Sequence, residues 1–83
     1  MTDAALDSLT IAADLIDVRY RGADASALLD RCNAWCKVDH AAAIRAAFTG
    51  SRMLPSQLDL IDKARDRVEA VRLNCLQIVR GAA

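Results

Sequence analysis

The stretch IDKARDRVEAVRLNCLQI, residues 61–78, repeats an apolar residue at alternating intervals of three and four. The repeating positions are Ile61, Ala64, Val68, Val71, Cys75 and Ile78, with Leu54 one heptad earlier. Side chains at these intervals share one face of an α-helix, so the stretch predicts a long helix with one apolar seam. Pro55 fits the first turn of that helix, where its missing N–H is harmless. Such a helix needs a long neighbour that covers the seam.

Local signals divide the chain into four predicted helices, at about residues 3–21, 24–37, 39–49 and 55–80. Glycine follows three of the apolar-periodic segments, where a left-handed residue closes a helix, at Gly22, Gly50 and Gly81. Candidate N-caps precede the first three helices at Thr2 or Asp3, Asp24 and Asp39. The sequence therefore predicts one all-α domain, residues 1–83: a small antiparallel bundle whose long first and last helices pack antiparallel.

Composition narrows the class of protein. The 83 residues suffice for one domain with a small core. Basic and acidic residues number eleven each, so the charge favours neither nucleic acid nor an anionic membrane as partner. Residues 1–42 carry seven acids and four bases, net −3, whereas residues 43–83 carry four acids and seven bases, net +3. This polarity favours antiparallel pairing of the outer helices, with Asp14 and Asp17 near Arg65 and Arg72.

The sequence also predicts a cytoplasmic location. The start MTDAALDSL is acidic where a secretory signal needs basic residues, and no apolar run approaches the roughly 18 residues that cross a bilayer. Three cysteines, an odd number without repeated spacing, do not make a disulfide framework. Arginine exceeds lysine nine to two and aspartate exceeds glutamate ten to one, which favours a bacterial source.

The first predicted helix carries two apolar stripes instead of one. Residues at intervals of three and four form a seam like that of the last helix: Leu6, Leu9, Ala13, Ile16 and Tyr20. Beside it runs a polar stripe of Asp3, Asp7, Thr10, Asp14 and Asp17. Beyond that lies a second apolar stripe of Ala4, Ile11, Leu15 and Val18. An ordinary surface helix has a single apolar stripe, so the second one needs a cover.

Two explanations stay open for this second stripe. Another helix of the same chain covers it, or it stays exposed and binds another protein or a second copy of the chain. The last helix shows a related widening of its apolar arc near its end, at Leu73, Leu76 and Val79. The candidate partner-binding residues are therefore Ile11, Leu15, Val18, Leu73 and Leu76.

The segment RCNAWCKVDH, residues 31–40, holds the residue types that bind zinc. Cys32, Cys36 and His40 lie at intervals of four, on one face if a single helix runs through them. Cys75 of the last helix would supply a fourth ligand. Zinc-site cysteines usually come as two close pairs, whereas this chain has one pair and a distant single residue. These four residues are therefore only a minor alternative as a metal or redox site.

The apolar phase of the second helix supplies a further argument against that site. Ile44 and Phe48 would project from the wrong side of an uninterrupted helix, so the helix must end near Asp39, and His40 then begins a new one. We therefore predict no metal and no cofactor. Trp35 is expected to be the central core aromatic, and the cysteines in the apolar stripes are expected to act as small buried residues.

These features predict a small helical protein-interaction module: an adaptor, a chaperone-like binder or a self-associating regulator that acts through an apolar helix face. An enzyme is not expected, because one histidine and no glycine-rich loop provide no converging catalytic groups. The alternative is a helix-turn-helix DNA-binding regulator, since the second and third helices are short and closely joined. Its recognition helix, HAAAIRAAF, would offer bases only His40 and Arg45.

Overall fold

The computed structural model describes residues 2–82, which form four α-helices and no strand. The helices are α1 (Asp3–Arg21), α2 (Ala25–Lys37), α3 (His40–Ala47) and α4 (Leu54–Ala82). The predicted all-α fold is confirmed, and each helix begins and ends within about two residues of its predicted bounds. Among these residues, no helix has the combined length and hydropathy needed to cross a membrane.

Capping side chains and a left-handed glycine set most of the helix ends. Thr2, Asp24 and Asp39 each accept a hydrogen bond from a backbone N–H of the following first turn, over 3.3, 2.9 and 3.0 Å. Gly22 has φ of 72° and closes α1. The prediction for Gly81 is wrong, because α4 continues through it without a positive φ. A glycine permits the left-handed turn but does not require it.

α1 and α4 run in the same direction. Arg67 of α4 donates a hydrogen bond to Ser8 Oγ near the start of α1, over 2.8 Å, and Arg19 near the end of α1 contacts Asn74 further along α4. The predicted antiparallel packing of these two helices is therefore wrong. The eight residues of α3 extend only about 12 Å, too short to reverse the chain along the bundle. The chain consequently runs up α1, down α2 and up again in α4.

α2 is the antiparallel neighbour of the other two long helices. Trp35, near its end, bonds to Ala4 at the start of α1, and Arg31 forms an ion pair with Asp14 further along α1. The ion pairs predicted between α1 aspartates and α4 arginines do not form. Asp14 pairs instead with Arg31 of α2, and Arg72 pairs with Glu69 of its own helix at 3.0 Å.

The seam of α4 forms the centre of the core, as predicted. Its buried members are Ile61, Ala64, Val68, Val71 and Cys75, each at most 3% exposed. α2 adds Leu28, Cys32 and Trp35 to the same cluster, and α3 adds Ile44. The predictions that Trp35, Cys32 and Cys75 belong to the core are therefore confirmed.

The predicted seam of α1 is wrong, because α1 packs on a different face. The residues that it buries are Ala5, Ser8 and Ile11, and Leu15 and Val18 pack against the core while half-buried. The predicted seam points outward instead. Small residues on the α4 side of α1 let the two helices approach closely, while the larger residues of the second stripe fill the space towards α2. Of the two explanations for that stripe, the packing supports the intramolecular one.

Candidate interaction surface

Four large apolar side chains remain exposed along one face of α1. Leu6, Leu9, Ile16 and Tyr20 are 48%, 41%, 56% and 79% exposed. Together with the exposed Ala13 between them, they form a surface that we name the α1 stripe. It extends about 21 Å along the helix. Only three other large apolar side chains in residues 2–82 are comparably exposed, and they lie apart, at Val38, Met53 and Leu73. A contiguous apolar patch marks an interaction site more strongly than scattered residues do.

One long edge of the α1 stripe is acidic. Helical spacing places Asp3, Thr10 and Asp17 in a row directly beside the stripe, on the side away from α4. Asp17 also forms an ion pair with Arg21 at 3.3 Å, one turn further on. The negative charge on this edge is strongest at the start of the helix, where it also suits the helix dipole.

The opposite edge of the stripe is basic and is shared by two helices. Arg19 of α1 and Arg67 of α4 bridge the α1–α4 groove, as described above. Lys63 lies one turn before Arg67 on the same side of α4 and pairs with Asp59 at 3.0 Å. An apolar strip between an acidic and a basic edge is a surface that favours one orientation of a bound partner.

The contact that holds the stripe outward was not predicted from the sequence. Ser8 is fully buried, and its Oγ donates to Ala5 O over 2.6 Å and accepts from Arg67 over 2.8 Å. Its hydroxyl is thus satisfied although it faces the core. The signal in the sequence is the row of small residues Ala5, Ser8 and Ala12, at intervals of three and four, which marks the side where α4 approaches.

The predicted partner-binding residues fall in different environments. Ile11 is 2% exposed and lies in the core, so it is not available to a partner in the packed bundle. Leu15 and Val18 are half-buried against the same core. On α4, Leu76 is half-buried and Leu73 is 54% exposed, on the flank away from α1. The structure therefore does not bring these five residues together on one surface.

The three cysteines differ in how deeply they are buried. Cys32 and Cys75 are fully buried, whereas Cys36 is exposed and lies 3.5 Å from Glu69 Oε1. Burial raises the pKa of the Cys32 thiol to about 11 and also raises the pKa of the Cys75 and Cys36 thiols. Because the thiolate is the nucleophile, thiols with raised pKa values are poorly suited to nucleophilic chemistry.

His40 is oriented towards Trp35 instead of towards the cysteines. Its Nε2 lies 2.9 Å from Trp35 O, and the two ring centroids are 4.4 Å apart. The predicted helix break at Asp39 is confirmed and accounts for this placement. In residues 2–82, no three His, Cys, Asp or Glu side chains are grouped so that they could hold a metal ion. For base reading, α3 offers Arg45 as its exposed charged side chain, whereas His40 is half-buried.

Comparisons with protein-family models, curated proteins and solved structures find no match for this chain. Within residues 2–82, the α1 stripe combines four exposed large apolar side chains with charged edges of opposite sign.

Proposed function

We propose that this chain is a small helical protein-interaction module that buries the α1 stripe against an apolar helix of a partner. The observation that carries the proposal is the spacing of the stripe. Large apolar side chains at intervals of three and four stay exposed on one face of α1, while the opposite face packs in the core. This is the pattern by which one helix packs along another.

The size of the stripe suits a weak affinity. Leu6, Leu9 and Ile16 are each about half exposed, so complete burial of each contributes about 1 kcal/mol. Tyr20, at 79% exposed, has more surface to bury and belongs to the residue types enriched at binding hot spots. Association itself costs at least about 4 kcal/mol in lost freedom of motion. The stripe therefore needs a partner that covers its whole length.

The fold lowers the entropic cost of binding because it holds α1 in its helical conformation before a partner binds. Arg67 fixes α1 to α4 through Ser8, and the indole N–H of Trp35 fixes the start of α1 to α2 through Ala4 O at 2.9 Å. A partner therefore meets a helix that is already formed. Preorganisation of this kind improves affinity by removing the ordering cost from the binding step.

A matched pair of substitutions tests the proposal. Ile16 on the stripe and Leu73 on the far flank of α4 are 56% and 54% exposed, so an aspartate at either site disturbs the fold to a similar, small extent. In affinity capture from cells of the source organism, we expect Ile16→Asp to lose the partner and Leu73→Asp to keep it. Circular dichroism verifies that both variants are folded.

Other outcomes of that capture would contradict the proposal. Partners retained equally by both folded variants would mean that the α1 stripe does not bind. Loss with Leu73→Asp alone would indicate that the binding face lies around Leu73 on α4.

We further infer a bacterial, cytoplasmic setting, which is supported by the arginine and aspartate bias and by free thiols at all three cysteines.

A further inference from the structure

We propose that the helix that covers the α1 stripe is α1 of a second copy of this chain. The two α1 helices lie side by side and parallel, related by a two-fold axis that runs along them. This inference rests on the proposed function and names the partner of the same surface. Three features of the stripe support it: the charges on its edges, the order of its side chains and the amount of surface that the monomer exposes.

The charges favour a parallel pair. Asp3 and Asp17 lie along one edge of the stripe, and Arg19, Lys63 and Arg67 along the other. Arg21 pairs with Asp17 and Asp59 pairs with Lys63, so the first edge remains net acidic and the second net basic. A two-fold axis along the helices sets the acidic edge of each copy beside the basic edge of the other. A two-fold axis across the helices would instead set acid beside acid and base beside base. Complementary charge at the rim fixes orientation and opposes the wrong register.

The order of side chains along the α1 stripe favours pairing between two copies of the chain. In a parallel two-fold pair, every residue of the stripe meets its own counterpart, because the two-fold axis runs along the seam between the two helices. Ala13 at the centre meets Ala13, and this small residue lets the two helices approach closely. Larger residues then interlock on both sides of it, with Leu9 before and Ile16 after. The stripe thus supplies both halves of a continuous apolar seam.

The exposed surface of the monomer is of the right magnitude for a small interface. The chain exposes 5397 Å², whereas a compact monomer of 9.0 kDa is expected to expose about 4,900 Å². The excess of roughly 500 Å² includes the surface that an elongated bundle adds, so the share that belongs to the α1 stripe fits only a small interface, below about 1,200 Å² in total. We therefore expect a weak dimer whose population depends on protein concentration.

Sedimentation velocity from low micromolar to near-millimolar concentration measures the association. The wild-type chain is expected to shift from monomer to dimer, Leu73→Asp to shift in the same way, and folded Ile16→Asp to remain monomeric. If Ile16→Asp does not fold by circular dichroism, Leu9→Glu replaces it as the variant on the stripe. A wild-type chain that stays monomeric throughout, or a dimer that survives the folded stripe variant, overturns the inference.

Cysteine cross-linking then tests the orientation. Leu6→Cys and Tyr20→Cys are prepared separately in a Cys36→Ser background, because Cys36 is the exposed natural thiol. The two sites are about 21 Å apart along the helix. In a parallel pair each variant forms disulfide dimers with itself under mild oxidation. Cross-linking only when the two variants are mixed indicates an antiparallel pair and overturns the proposed arrangement.

Different experimental results would contradict the proposed function and the inference that the partner is a second copy. If the wild-type chain is a strict monomer but captures a protein that Ile16→Asp loses, the stripe binds a different partner, and only the second-copy inference is wrong. If the chain neither dimerises nor captures a protein through Ile16, the proposed function is wrong as well.

Discussion

At the scale of single residues, Trp35 shows what local patterns predict and what they leave open. Its phase with Leu28 and Cys32 on α2 places it on the apolar face, and it is indeed buried. Its indole N–H donates to Ala4 O of α1 over 2.9 Å. No spacing within α2 predicts that bond, because it depends on where the start of α1 comes to lie beside the end of α2.

Cys32 provides a pH-dependent prediction at this scale. In the unfolded chain its thiol loses a proton near its ordinary pKa of 9.0, whereas in the folded protein burial holds that pKa at about 11. Between these values the unfolded state binds fewer protons, so raising the pH favours unfolding. The contribution of Cys32 to stability is present below pH 9 and is lost by about pH 11, a change of about 2 kcal/mol.

Urea unfolding, followed by circular dichroism across this pH range, measures the effect. The free energy of unfolding of Cys32→Ala should fall less steeply with pH than that of the wild type, although the variant is less stable at neutral pH. Cys36→Ser serves as the comparison: its thiol is exposed and its pKa is raised less than that of Cys32, so the slope should change less. Equal slopes for the wild type and Cys32→Ala would show that the buried thiol does not titrate as described.

At the scale of elements, α1 and α4 differ in how well their sequences define the buried face. α4 has a single dominant apolar seam, and that seam is buried as predicted. α1 has two stripes of the same periodicity, so spacing alone does not decide between them. The choice follows from the small residues beside Ser8 and from the direction of α4, which the short α3 determines. The starts of α1, α2 and α3 were predictable because each cap lies next to the helix that it begins.

Two isoleucines on opposite faces of α1 test its rotation. Ile11 is 2% exposed and Ile16 is 56% exposed. Ile11→Ala should lower the free energy of unfolding by about 2–5 kcal/mol, because it leaves a cavity in the core. Ile16→Ala should change it by less than about 0.5 kcal/mol in dilute monomer. Urea denaturation of both variants provides the comparison, and a larger loss for Ile16→Ala would restore the face first predicted from the sequence.

At the scale of the whole molecule, the bundle is elongated. Its principal extents are 49 × 20 × 14 Å and its radius of gyration is 14.3 Å, compared with about 12 Å for a compact chain of this length. The cause is α4, whose 29 residues extend about 43 Å and serve as the common neighbour of the other three helices. The candidate binding surface therefore lies along the side of a rod.

Small-angle X-ray scattering tests this shape. At low concentration we expect a radius of gyration close to 14.3 Å. As the dimer forms, the scattering mass should double while the longest dimension changes little, because copies that pair along α1 lie side by side. A dimer nearly twice as long as the monomer would indicate association through the ends of the rod and would contradict pairing along the α1 stripe.

Because α1 and α4 are parallel, the bond between Ser8 and Arg67 joins residues 59 positions apart, whereas the pair Asp14 and Arg31 spans only 17. Loop-closure entropy disfavours the longer loop, so we expect α1 and α2 to associate first and α4 to dock on α1 later. Pulsed hydrogen exchange would follow this order. Until α4 docks, α1 exposes both its small-residue side and its outer stripe. The newly made chain is therefore most vulnerable to aggregation in this interval, before its last helix arrives.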